Sequence, residues 1–180
     1  MSVHLTFPDG SVREYPDGVT GAEVAASIGP RLAKAAVAAK LDGAFVDLDH
    51  PIPSDGAFAV VTDTTEEGRH VLRHSAAHVM AQAVLDLYPG AKFAIGPPIT
   101  DGFYYDFDIG RPFDPDDLEA IEVRMAEIIA EDQPFEREVL TVPEALEVFS
   151  DQPFKTEIIQ GVDEDEGAGG SEVTVYRNRE

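Results

Sequence analysis

The sequence contains no cysteine, few basic residues and no long apolar run. The lack of cysteine excludes disulfide bonds and any thiolate nucleophile or metal ligand supplied by this chain. No apolar run approaches the ~20 residues that span a bilayer, and the N-terminus lacks the basic start and apolar stretch of a signal peptide. We therefore expect a cytoplasmic chain with no membrane partner.

Basic residues are scarce, with 13 Lys and Arg against 35 Asp and Glu and a net charge of −22. Because such a surface repels phosphate, it argues against a free-standing nucleic-acid binder, and DNA is not expected as a partner. Residues 1–62 carry 4 basic and 8 acidic residues, a net −4, whereas residues 63–180 carry 9 and 27, a net −18. This shift predicts two domains, 1–62 and 63–180.

The first sixty residues show short strand patterns around one helix. Residues 3–7 alternate apolar and polar side chains, and after a Pro-Asp-Gly turn residues 12–15 return as a second strand, which predicts a hairpin. Thr20 and Glu23 have the spacing of a capping box that opens a helix ending near Ile28. Gly29 and Pro30 are expected to stop that helix, and further short strands are predicted at 36–39, 44–48 and 57–61. The pattern predicts a small helix-on-sheet module.

A helical period dominates the second part of the chain. Apolar residues recur at helical spacing from 65 to 87, which predicts one long helix. Further predicted helices cover 114–132, 141–149 and 153–160, predicted strands cover 93–95, 103–108 and 172–176, and 163–170 is predicted to be a solvated acidic loop. The buried stripe of the 114–132 helix is predicted to comprise Leu118, Ile121, Met125, Ile128 and Ile129. We therefore expect an α+β domain.

Three histidines, His70, His74 and His78, follow one another at spacings of four on the long helix. This spacing stacks side chains on one helix face, where a pair of imidazoles can bind a metal or share protons around a substrate. Ser75 stands where zinc proteases of the His-Glu-x-x-His type carry glutamate, so that class is excluded. The histidines are also compatible with an ordinary polar face. Small residues at 75–77 leave room for a ligand to approach.

Two other features are candidates for a site. The rigid loop 96–98 leads towards the aromatic segment 102–106, which is compatible with a pocket wall or with a turn followed by a core strand. Lys155 is one of only two lysines after residue 62, the other being Lys92. In an acidic domain it is either a buried functional ammonium or a solvated side chain.

Three motifs carry a resemblance to a known family. They are Arg73-His74-Ser75-Ala76-Ala77-His78, Ala94-Ile95-Gly96-Pro97 and Gly102-Phe103-Tyr104-Tyr105-Asp106. In this order and spacing, the chain closely resembles the N-terminal region of bacterial threonyl-tRNA synthetases over essentially its whole length. The resemblance implies a TGS domain of β-grasp fold at 1–62, followed at 63–180 by the start of an editing domain.

In that family, the editing domain hydrolyses serine that has been attached by mistake to threonine tRNA. Threonine and serine differ by one methyl group, worth only ~1–3 kcal/mol in a binding pocket, so accuracy requires a second site. The resemblance places His74, His78 and Tyr105 in the pocket, with Lys155 facing it. It implies activation or orientation of a water molecule by His74 and Lys155, substrate positioning by His78 and Tyr105, and no metal.

The family's pocket is completed by an Asp-x-Cys-x-x-x-His element, and this sequence contains none. We therefore expect an N-terminal fragment, with threonine tRNA and the remainder of the synthetase as partners and with no cofactor of its own. ATP and zinc would belong to the family's catalytic domain. Alone, the chain is expected to be inactive or nearly so. The alternatives are a free-standing TGS-type binding or regulatory module and a trans-acting aminoacyl-tRNA deacylase.

Overall fold

The structure is a computed structural model that describes residues 2–94, 96–161 and 172–177. The loop predicted at 163–170 lies outside the described residues. The chain divides into two compact units, unit 1 (Met1–Arg73) and unit 2 (His74–Glu180). The domain boundary predicted at residue 62 stays a prediction. Within the described ranges, no helix is both long and apolar enough to cross a membrane.

Unit 1 is built on a five-stranded mixed sheet with strand order β2-β1-β5-β3-β4. Strand β1 pairs antiparallel with β2 and parallel with β5, and β3 pairs antiparallel with β4 and β5. This topology confirms the predicted β-grasp fold. The elements are β1 (Ser2–Thr6), β2 (Val12–Pro16), α1 (Gly21–Ile28), α2 (Pro30–Ala35), β3 (Ala36–Leu41), β4 (Ala44–Val46) and β5 (Gly56–Thr62).

One core holds unit 1 together. Strand β1 buries every second side chain, so Val3 and Leu5 pack with Val24 of α1 and Phe58 of β5. The capping box of α1 forms as predicted. Helix α2 is not predicted by the sequence patterns, which assign Pro30 only to the end of α1. Proline is also tolerated at the first position of a helix, where its missing N–H has no partner to lose.

Among its described residues, unit 2 combines helices with four very short strands and one longer pair of antiparallel strands. Helix α3 (Glu66–Leu87) is the long helix that the apolar period predicted, and its larger part belongs to unit 2. The elements that follow are β6 (Lys92–Phe93), β7 (Pro98–Ile99), β8 (Gly102–Phe103), β9 (Phe107–Asp108), α4 (Pro115–Ala130), β10 (Glu136–Thr141), α5 (Val142–Val148), α6 (Pro153–Ile159) and β11 (Glu172–Arg177). Together the two units confirm the α+β class.

The strand predicted at 103–108 is wrong as one element. Strand β8 turns back to pair with β7, whereas β9 pairs with β6. The two ends of the aromatic segment therefore belong to different ladders, and residues 104–106 connect them. The sequence patterns did not predict strand β10. Leu140 is its one buried side chain, so the strand has no apolar alternation. It is paired along its whole length with β11.

The predicted buried stripe of α4 is partly wrong. Ile121 and Ile128 are buried, but Leu118 and Ile129 are 60% and 65% exposed. Asp117 occupies the buried face next to Leu118, because Tyr88 Oη donates to it at 2.6 Å and Arg111 binds it through both terminal nitrogens. These charge-assisted bonds hold the pKa of Asp117 well below its usual range. The buried face of α4 therefore includes the paired carboxylate of Asp117, whereas the apolar period predicted Leu118 there.

Candidate active site

A cleft of about 770 Å³ opens in unit 2, and all four candidate side chains line it. His74 and His78 come from α3, Tyr105 from the segment between β8 and β9, and Lys155 from α6. The remaining lining residues are Ala77, Ala81, Gln82, Leu85, Asp86, Phe93, Gly96, Pro97, Pro98, Phe149, Ile158, Ile159, Val173, Thr174, Val175 and Tyr176. His70 does not line the cleft and is exposed.

Helix α3 presents one face to the cleft at spacings of three and four. His74, Ala77, His78 and Ala81 follow one another on that face, as the geometry of a helix requires. Of the small residues at 75–77, which were expected to leave room for a ligand, only Ala77 lines the cleft. Ala81, one turn further along α3, is the second small residue that lines it. Two methyl side chains beside the imidazoles leave the helix surface open to a ligand.

The two histidines contact each other directly. Their Nε2 atoms lie 3.0 Å apart and their ring centroids 4.8 Å apart. A hydrogen bond at this distance requires one Nε2 to donate and the other to accept. If both rings are neutral, they must therefore be opposite tautomers. The pair is arranged to share or pass a proton.

His78 is the more buried of the two rings. Burial, reinforced by the positive charges of His74 and Lys155, lowers the pKa of His78 from 6.5 to about 4. At neutral pH His78 is therefore an uncharged imidazole that can orient a ligand, while its low basicity makes it a weak proton acceptor. His74 is exposed and is better placed to exchange a proton with water.

Aromatic rings surround His78, and the sequence reasoning gave them no role. The ring centroids of Phe135 and Tyr176 lie 6.2 Å and 6.1 Å from that of His78. Tyr176 was predicted only as a strand residue, and Phe135 belongs to a segment for which no element was predicted. These contacts explain part of the burial that lowers the pKa of His78.

Tyr105 is fixed by packing on two sides. Its ring stacks on Phe107 at 4.7 Å and meets Phe93 edge-on at 6.3 Å. A Cβ atom built on Gly96 would lie 2.1 Å from Cδ2 of Tyr105. The Tyr105 ring therefore fills the space that any larger side chain at position 96 would need. Burial raises the pKa of Tyr105 to about 12, which keeps the phenol protonated and able to donate.

Lys155 lies in the first turn of α6 and is half-buried. Its Nζ lies 5.4 Å from the ring centroid of Phe93, a cation–π distance. Because Phe93 also contacts Tyr105, one aromatic ring connects the lysine to the tyrosine. The structure therefore brings together the four residues chosen from the sequence, and their chemical roles stay predictions.

The side chains of the cleft suit attack of water on an uncharged carbonyl. An imidazole pair can accept and pass a proton, and an ammonium and a phenol can stabilise a developing oxyanion. Among residues 2–94, 96–161 and 172–177, no group of three or more His, Cys, Asp or Glu side chains is arranged to hold a metal.

Comparison with known proteins identifies the first part of the chain. Residues 3–62 match the family described as TGS domain. The match covers the five-stranded sheet and its two helices, so the fold predicted for this region is confirmed by an independent comparison.

The chain as a whole is similar to bacterial threonine--tRNA ligases. It is 55% identical over 143 residues to that of Symbiobacterium thermophilum, 54% over 145 residues to that of Pelobacter propionicus and 54% over 142 residues to that of Acidiphilium cryptum. These alignments cover 79%, 81% and 79% of this chain. They confirm the resemblance to the N-terminal region of these ligases. The chain spans 22–23% of the length of these relatives.

Proposed function

We propose that the cleft of unit 2 is an editing site that hydrolyses the ester bond of serine attached to threonine tRNA. The observation that carries the proposal is the presence of His74, His78, Tyr105 and Lys155 in one cleft. The similarity to threonine--tRNA ligases supplies the substrate class, because such enzymes must separate two amino acids that differ by one methyl group.

Each side chain has a role in the proposed reaction. A water molecule attacks the ester carbonyl carbon and gives up a proton to the exposed imidazole of His74. The ammonium of Lys155 orients that water and stabilises the oxyanion, while His78 and Tyr105 position the seryl group. When the carbon–oxygen bond breaks, the ribose oxygen of the tRNA takes that proton from His74 and serine is released.

The proposal extends to the protein to which this region corresponds. We infer a cytoplasmic threonine--tRNA ligase in which threonine tRNA and the remaining domains are the partners of this region. The ATP and zinc used for aminoacylation bind outside these 180 residues. The high negative charge makes the encounter of this region with tRNA repulsive, so contacts with tRNA would rest largely on other domains.

The test is a serine-release assay with seryl-tRNA(Thr). The 180-residue polypeptide is compared with a version extended through an Asp-x-Cys-x-x-x-His element. We expect release by the extended version, loss of that release in His74→Ala, and near-background release by the 180-residue polypeptide, because groups that act as a unit lose far more than one contact when members are missing. Absence of release by the extended version rejects the editing proposal. His74-dependent release by the 180-residue polypeptide alone would favour a trans-acting deacylase.

A second candidate is a binding or regulatory module that acts through its TGS domain. The match of residues 3–62 favours it, because this region has a complete fold of its own. Reading the coding sequence beyond codon 180 separates the two candidates. Continuation into the pocket element and class II motifs supports the synthetase, and a stop codon at that point supports the module.

A further inference from the structure

Gln152 is a buried polar side chain next to the cleft but not in its lining. It is 7% exposed and precedes α6 at the N-cap position. Short polar side chains are preferred there because they bond to the first free N–H groups of the helix. The side chain of Gln152 makes no such bond. A long amide at this place therefore serves another purpose.

The amide of Gln152 binds β6 and the residue before it, Ala91, through both of its polar atoms. Phe93 N donates to Oε1 at 3.2 Å, and Nε2 donates to the carbonyl oxygen of Ala91 at 3.3 Å. Beside it, Lys92 Nζ donates to the carbonyl oxygen of Asp151 at 2.5 Å. Three hydrogen bonds thus join residues 91–93 to residues 151–152, about sixty positions apart in the chain.

This clamp fixes two of the contacts of Lys155. On one side, Lys155 N donates to the carbonyl oxygen of Gln152 at 3.0 Å in the first turn of α6. On the other side, the ring beneath Lys155 Nζ belongs to Phe93, whose backbone N–H is held by the Gln152 side chain. A displacement of α6 relative to β6 would move the Lys155 ammonium away from the Phe93 ring. It would also change the distance between Lys155 and Tyr105.

We propose that Gln152 is the positioning residue of the cleft, which sets the location of the Lys155 ammonium by clamping the start of α6 to β6. The catalytic meaning of this clamp rests on the editing function proposed above. A displacement of about 1 Å in a reacting group is enough to reduce a reaction rate strongly. By fixing the position of α6 relative to β6, the buried amide of Gln152 would prevent such a displacement of Lys155.

The test uses the 180-residue polypeptide with ¹³C-labelled lysine and no substrate. The sequence has four lysines, Lys34, Lys40, Lys92 and Lys155, so substitution to arginine assigns each Cε signal. The Lys155 signal is expected to carry a ring-current shift that Phe93→Leu abolishes. Gln152→Met keeps the size of the side chain, removes both hydrogen bonds and should remove at least half of that shift. Gln160→Met, an exposed position at the other end of α6, should leave it unchanged.

A second variant keeps the proposal testable if Gln152→Met fails to fold. In Gln152→Glu, a protonated carboxyl both accepts from Phe93 N and donates to the Ala91 oxygen, whereas the ionised form only accepts. The Lys155 shift should therefore be native-like at low pH and decrease as that carboxyl ionises, beyond any change in the unsubstituted protein.

A folded Gln152→Met protein with an unchanged Lys155 signal overturns the proposal. So does a Gln152→Glu protein whose Lys155 signal follows that of the unsubstituted protein at every pH. The NMR measurement involves no ester hydrolysis, so it is independent of the serine-release assay. If no serine is released but the Lys155 signal depends on Gln152, the editing function is rejected and the positioning role of Gln152 is retained.

Discussion

Unit 1 and unit 2 bury their apolar side chains in different ways. Unit 1 has one core that joins its sheet to α1, with Leu5, Val24 and Phe58 fully enclosed. The described residues of unit 2 form two separate cores, one around Val84 and Ile121 and the other around Leu140, Ala145 and Ile159. Residues packed in both cores line the cleft. The cleft therefore lies in the unit whose buried apolar side chains are divided between two cores.

The units also differ in their buried polar groups. The buried polar side chains among the described residues are Gln82, Asp117 and Gln152, and all of them belong to unit 2. A buried polar group costs stability unless it is hydrogen-bonded, and it then specifies one arrangement of its neighbours. In unit 2, Asp117 fixes α4 and Gln152 fixes the start of α6 next to other elements.

The largest effect should come from the core of unit 1. Phe58 is 2% exposed, and Phe58→Ala should reduce the free energy of unfolding by about 3–5 kcal/mol, since it leaves a cavity. Phe45→Ala is the matched control, because Phe45 is 53% exposed and should cost much less. Urea denaturation measures both variants. Equal losses would contradict a single closed core in unit 1.

A pH-dependent effect should come from His78 in unit 2. The pKa of His78 is about 4 in the folded protein, against 6.5 for an ordinary histidine. Between these pH values the unfolded chain binds more protons, so the contribution of His78 to stability is complete above about pH 6.5. It decreases as pH falls towards 4, by up to about 3 kcal/mol.

The measurement is the difference in unfolding free energy between the unsubstituted protein and His78→Gln from pH 7 to pH 4. His70→Gln is the control, since His70 is exposed. The stability advantage of the unsubstituted protein over His78→Gln should shrink as pH falls, and the His70→Gln difference should stay flat. A parallel pH dependence in all three proteins would show that His78 is not buried in its neutral form.

Gly96→Ala should disturb unit 2 at Tyr105. The added methyl would lie 2.1 Å from the Tyr105 ring, so the ring or the loop must move, at a cost of about 1–3 kcal/mol. Gly29→Ala in unit 1 is a matched control, because no atom lies within 4 Å of the methyl that this substitution would add and the φ of 166° at Gly29 is extended backbone. Thermal unfolding and the Tyr105 ring signals measure both. An unchanged Tyr105 environment in Gly96→Ala would refute the close packing.

The smallest effects should be equal in the two units. Thr20 and Thr141 each cap a helix and accept from the backbone N–H of a glutamate three residues on. Thr20→Ala and Thr141→Ala should each cost about 1 kcal/mol, because each removes a cap bond. Denaturation curves monitored separately for each unit give the two values. A cap worth several times more in one unit would show that its role there exceeds local helix capping.

Sequence patterns predicted the features of this chain that depend on local order. The hairpin of unit 1, the capping box at Thr20 and the length of α3 follow from periodicity and from the chemistry of the first helical turn. Strand β10 could not be predicted in this way, since a strand with one buried residue has no alternation to detect. The exposure of Leu118 depends on Arg111 and Tyr88 reaching Asp117, which no local pattern encodes.

The residues of the candidate site also differ in whether the sequence could predict them. The spacing of His74 and His78 placed them on one helix face. Lys155 and the segment 102–106 were candidates from the sequence alone, and the resemblance to a family selected Tyr105 and assigned the roles. Gln152 was missed because its partners lie about sixty residues away. The available signal was a glutamine at a helix start, before proline, where a short capping side chain is usual.

The most direct measurement for the cleft of unit 2 is binding of a stable substrate mimic to the unsubstituted chain. The probe is adenosine that carries serine in an amide linkage at its 3′ carbon, titrated to millimolar concentration while the five histidine signals are followed by NMR. We expect saturable shifts of His74 and His78, with His4 and His50 of unit 1 unchanged as internal references. Shifts confined to His4 or His50, or no shift of His74 and His78 at the highest concentration, would contradict the assignment of the editing site to this cleft.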